Sequence, residues 1–153
     1  MFKLFILLCA LSMPLAACGD DMPMLSGSVT TTTLLNRVDE FNQQYQSFTP
    51  TKQDIALMQK LKGKELVVLL GTWCHDSARE VPRLIKLLEE SKVKLAKISY
   101  VAVDYNKPDK AGIAQAHGLK FTPTFIVKQN GKEIARVVEK PLGTLAQDLT
   151  QRL

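Results

Sequence analysis

A chain of 153 residues, 46% of them hydrophobic and 23% charged, is long enough for one domain with a full core and too short for two. The formal net charge of +5 is spread along the chain. Its nearest approach to a basic cluster, Lys92, Lys94 and Lys97, has no interleaved aromatic residues and reads as a solvated face, which argues against a nucleic-acid-binding role.

Residues 1–17 read as a targeting segment rather than part of a fold: Lys3, an apolar run from Leu4 to Leu15, then small residues. The run is shorter than the roughly 20 residues a membrane span needs. Its end, Leu15-Ala16-Ala17-Cys18, resembles the lipobox of bacterial lipoproteins. That resemblance implies cleavage before Cys18, a diacylglycerol thioether on its sulfur, and further acylation, by palmitate for example, of its amine. It also implies an oxidising, extracytoplasmic location on a membrane. Because Gly19, not an Asp, follows the cysteine, a Gram-negative source would favour the periplasmic face of the outer membrane. Cys9 would leave with the signal and Cys18 would be alkylated. Cys74 is then the one free thiol, and no intramolecular disulfide is available.

Residues 18–33 comprise the lipidated cysteine and an aperiodic Gly/Ser/Thr/Asp stretch, read as a flexible tether, so that residues 34–153 form the domain. Leu34, Leu35, Val38, Phe41, Tyr45 and Phe48 recur at three- and four-residue steps and predict one helix. A second is predicted from Thr49-Pro50-Thr51, capped by Thr with Asp54 in its first turn, to about Gly63. "ELVVLL", Glu65 to Leu70, is the apolar run of a strand buried on both faces. A helix over residues 77–91 buries Ala78, Val81, Leu84, Ile85 and Leu88, with Arg79, Arg83 and Lys86 on its wet face. A second strand spans Ile98 to Asn106. A helix follows from Asp109 to His117, closed by Gly118, with His117 as a C-terminal cation. Thr124 to Val138 reads as a hairpin turning at Gln129-Asn130-Gly131, and residues 144–152 as a last helix. This order predicts an α/β fold with a central mixed sheet flanked by helices.

The chemistry concentrates in "GTWCHDSAREVP", Gly71 to Pro82. Trp73-Cys74 ends a buried strand and opens a helix, Pro82 lies eight residues on, Thr122-Pro123-Thr124 precedes the hairpin, and an amphipathic helix closes the chain. In this order these motifs resemble the thioredoxin superfamily over residues 63–152. The resemblance implies a thioredoxin-like fold, a cis peptide before Pro123, Cys74 as nucleophile, and Trp73, His75, Asp76, Thr122 and Pro123 around the substrate. A sulfur at a helix N-terminus faces unpaired N–H groups that favour its anion, the reactive form. Ser77 stands where the family places its second thiol. Its hydroxyl can donate to the sulfur but cannot resolve a mixed disulfide. Val68 stands where many thioredoxins bury an acid. Both departures point to a monothiol mechanism: a membrane-anchored thiol-disulfide oxidoreductase or isomerase. Its partners would be client proteins with disulfides or oxidised cysteines and an external thiol or reductase, with no cofactor. Cys74 and His75 are adjacent and lack a second Cys–His pair, which speaks against a metal site. The alternative is a non-catalytic binding or assembly lipoprotein that keeps the fold.

Overall fold

The computed structural model describes residues 24–106 and 109–153. The expected targeting segment, Cys18 and the expected tether as far as residue 23 lie outside the described residues. Five strands form one sheet in the order β1-β3-β2-β4-β5: β1 (Gly27–Val29), β2 (Glu65–Leu70), β3 (Lys97–Ala102), β4 (Thr124–Gln129) and β5 (Lys132–Val138). Only the β2–β3 pair is parallel. The helices are α1 (Thr31–Arg37), α2 (Asp39–Ser47), α3 (Lys52–Met58), α4 (His75–Ser91), α5 (Ile113–Ala116) and α6 (Leu145–Thr150). The mixed sheet with flanking helices is the fold class that the element order predicts.

Strand alternation divides the core. Leu66, Val68 and Leu70 of β2, with Phe125 and Val127 of β4, join Leu34, Phe41, Met58, Leu84 and Ile85 from the helices in the main core. The intervening Val67 and Leu69 meet Val101 and Ile126 on the other face, under Ile113 and Leu119. Each fully buried Leu, Ile or Phe contributes about 1.5–3 kcal/mol of burial free energy. α2, α3 and α6 pack around α4, so the helix that follows Cys74 is the central one. Asn130 and Gly131 both adopt positive φ (53° and 75°), the pairing expected of a tight hairpin turn.

Four elements differ from the sequence reading. The helix expected across Leu34–Phe48 is two helices, broken at Val38 (φ −124°, ψ 97°). Asp39 and Glu40 favour a fresh helix N-terminus there, while Val38 stays buried and preserves the apolar period. Residues 27–33 are not tether. They form β1 and the first turn of α1, which Thr30 caps by accepting from the Thr33 N–H at 3.0 Å. The helix expected over 109–117 is only α5, because the Asp109 carboxylate accepts from the N–H groups of Ile113 (3.0 Å) and Ala114 (2.7 Å). β3 stops at Ala102, four residues short of Asn106.

Candidate functional site

The site lies where β2 hands over to α4. Cys74 is the N-cap of α4 (φ −94°, ψ 121°): its N–H donates to Gly71 O (3.0 Å) and its carbonyl accepts from Ala78 N–H (2.9 Å). The thiol is free and half-buried. It donates to the carbonyl oxygen of Thr122 at 3.1 Å. The Thr122–Pro123 peptide is cis, as the family resemblance implies. Thr122 and Pro123 are buried, Pro123 O accepts from the Glu139 N–H (2.7 Å), and Thr124 Oγ1 donates to Phe121 O (2.7 Å). The cysteine and the proline turn, 48 residues apart in sequence, therefore share one site.

The other expected residues divide between the site and its support. Ser77 is fully buried, and its hydroxyl accepts the Gly71 N–H at 3.2 Å. It braces the start of the active-site turn against the helix, a role different from the expected donation to the sulfur. The His75 ring is largely exposed and leans toward α2, with Nδ1 3.5 Å from Glu40 Oε1. Asp76 is held by Arg79 at 2.7 Å. Val68 is fully buried in the middle of β2, so an aliphatic side chain lies under the turn.

Trp73 is fixed by close packing. Its Nε1–H donates to Val103 O (3.0 Å), and its ring stacks on Tyr105 with centroids 4.6 Å apart and an interplanar angle of 26°. Gly71 permits this, since a Cβ there would lie 2.7 Å from the indole. Tyr105, 64% exposed, is a site residue that sequence reasoning missed. It falls in the stretch expected to continue the second strand, and its contact with Trp73 is purely tertiary.

Two further expectations change. Arg79 and Arg83 are not a free wet stripe. Both reach Glu80 (2.6 and 3.4 Å), whose carboxylate is only 2% exposed, and Arg83 lies over the Phe48 ring. Lys86 lies over the ring of Tyr45. His117 is the C-cap of α5, at the helix terminus where it is expected, but its surroundings disfavour the cation. Burial, then the charges of Lys128 and Arg136, hold its imidazole below the usual range, with Glu133 opposing. Among the described residues no group of three or more His, Cys, Asp or Glu is placed to hold a metal ion.

A sulfur at a strand-to-helix junction, set against a cis-proline turn in a mixed five-stranded sheet, defines a thioredoxin-like protein. The chain belongs to the thioredoxin family: the family model described as thioredoxin matches residues 23–150, a span that includes β1. Among solved structures, a protein of unknown function from Pseudomonas aeruginosa is similar at 18% identity and a TM-score of 0.50, covering 76% of this chain and 69% of that one. A thioredoxin from Fasciola hepatica is similar at 23% identity and a TM-score of 0.45, covering 64% and 89%. A thioredoxin from Schistosoma mansoni is similar at 23% identity and a TM-score of 0.44, covering 66% and 90%. At these identities the likeness is one of fold. No match was found among curated proteins.

Proposed function

We propose that this protein is a membrane-anchored, extracytoplasmic thioredoxin-like protein that acts on disulfides or oxidised thiols through Cys74 alone. The observation that supports the reading is the half-buried Cys74 sulfur beside the Thr122–Pro123 turn, with a fully buried serine at the position of the second thiol. In the proposed reaction the Cys74 thiolate attacks one sulfur of a client disulfide. A new Cys74–client disulfide forms and the other client sulfur leaves as thiolate. With a client sulfenic acid the same attack forms the mixed disulfide and expels hydroxide, which takes up a proton as water. An external thiol, or the client's own freed thiol, then attacks the adduct and regenerates Cys74. Thr122 offers its backbone to an extended client segment, and Trp73 with Pro123 frames the sulfur. The anchor is the acylated Cys18 implied by Leu15-Ala16-Ala17-Cys18. A pure binding module is the weaker reading, because it gives the free, half-buried Cys74 beside the Thr122–Pro123 turn no task.

The test is capture. Protein with Cys74 intact is mixed with a disulfide-bearing peptide, quenched with acid and resolved without reductant. A covalent adduct that is absent from Cys74→Ser supports the reading, and equal adduct with both rejects it.

A further inference from the structure

The N-terminal chain enters the fold at the same end as Cys74. β1 runs antiparallel to β3, with Gly27 opposite Ala102, the last residue of β3, and Val29 opposite Tyr100. β3 is parallel to β2, and Ala102 pairs with Leu70, one residue before the active-site turn. The Leu25 N–H donates to Thr72 Oγ1 at 3.2 Å, inside that turn. Leu25 is therefore bonded to a residue two positions before the reactive cysteine, from which it is itself 49 positions away in sequence. Only six residues lie between Cys18 and Leu25, and the seven residue steps span at most about 25 Å.

From this we infer that the clients are membrane-attached proteins whose oxidised cysteine lies close to the bilayer surface. The inference rests on the anchored, single-thiol reading above. Acylated Cys18 holds the Cys74 end of the domain within about 25 Å of the lipid. The surface of that end agrees. Met24 (50% exposed) adjoins Leu25, Tyr105 stacks on Trp73, Phe121 (52%) precedes Thr122, and Val138 pairs with Thr124. Exposed apolar and aromatic side chains at the Cys74 end of the sheet suit a juxtamembrane segment, which is itself apolar on its lipid side.

The opposite end has another character. Lys62 and Lys64 precede β2, Lys94 and Lys97 lie at the start of β3, and Lys128 and Lys132 flank the far turn of the hairpin. None of the six has an ion-pair partner within 4.0 Å among the described residues. Anionic lipid attracts such lysines, at roughly 1 kcal/mol each near the surface, and would turn Cys74 outward. The link opposes that orientation: six strand residues already span about 20 Å, which leaves almost nothing of the reach for the loops beyond.

The experiment uses the full acylated chain in zwitterionic vesicles. The clients are single-span helices carrying one cysteine, as its mixed disulfide with thionitrobenzoate, about 5 or about 40 residues from the span. Attack on the client sulfur releases coloured thionitrobenzoate as Cys74 takes its place. An eightfold longer stalk lowers effective concentration as the −3/2 power, so the near client should react on the order of twentyfold faster. A flexible insertion of about 20 residues between Asp21 and Met22 should collapse that ratio, because its added reach exceeds the original link. Equal rates, a faster distal client, or a ratio unchanged by the insertion would overturn the inference. A soluble peptide bearing the same group separates the two failures. If it does not react in a Cys74-dependent way, the single-thiol reading falls and the inference with it. If it reacts while the vesicle clients show no preference, only the inference falls.

Discussion

Replacing Gly71 with alanine tests the packing that sets the site. The added Cβ would sit 2.7 Å from Trp73 Cε2 and 2.9 Å from Nε1, well inside ordinary contact, so the indole must move by more than half an ångström. The ring stacks on Tyr105 and Nε1 is bonded to Val103 O, so both contacts must yield. Losing that hydrogen bond costs about 0.5–1.5 kcal/mol. Losing the stacked pair costs about as much again. A stiffer unfolded chain returns about 0.4–1 kcal/mol. The net destabilisation should be about 1–2 kcal/mol. Trp73 is the sole tryptophan of the chain, so its fluorescence reports the site directly. The Gly71→Ala protein should show red-shifted native emission and a lower urea midpoint, with far-UV circular dichroism unchanged. Wild-type emission together with a stability loss below about 0.3 kcal/mol would refute this account of the turn.

Three further outcomes follow from the same geometry. Ser77→Ala leaves the buried Gly71 N–H without its acceptor and should cost about 1–3 kcal/mol in urea unfolding; Ser77→Cys should instead supply an internal resolver, so that the captured Cys74 adduct falls while client release rises. Asp109→Ala removes the acceptor of the first two N–H groups of α5 and should cost about 1–3 kcal/mol at pH 7. Burial raises the Asp109 carboxyl, but hydrogen bonds from Ala114 and Ile113 outweigh it and hold the group below its ordinary value. Its contribution is therefore present above about pH 4 and lost as the pH falls through the folded value, so the gap between wild type and variant in thermal melts should narrow as the pH is lowered below 4. His117 has the opposite dependence. Burial and the neighbouring Lys128 and Arg136 disfavour its proton in the fold, so the unfolded chain protonates first as pH drops through about 6.5. His117→Gln should flatten the stability loss between pH 7 and pH 5.

Where a local pattern was enough, the sequence was readable. "ELVVLL" reads as a doubly buried strand, Asn130-Gly131 marks the hairpin turn, and Thr51 caps its helix as expected. The Cys74–Pro123 pairing was legible through family resemblance, because no spacing rule joins residues so distant. The misses have tertiary causes. β1 is three residues long and is defined by its pairing with β3, so no alternation betrays it. The break at Val38 is invisible because Leu34, Val38 and Phe41 all remain buried across it. Arg79 and Arg83 read as a wet face by their spacing, yet both fold over the buried Glu80, a contact that no local pattern shows. The motif suggests Ser77 as a partner of the nearby sulfur, whereas its bond is to an amide six residues earlier.

The central claim is that one accessible sulfur does the chemistry without an internal resolving thiol. It is tested most directly by intact-mass measurement of the protein after exposure to a disulfide peptide, before and after an added small thiol. The account predicts a single peptide adduct on Cys74 that persists until the thiol is added and then disappears with release of reduced peptide. No adduct, or one formed equally by Cys74→Ser, would contradict it.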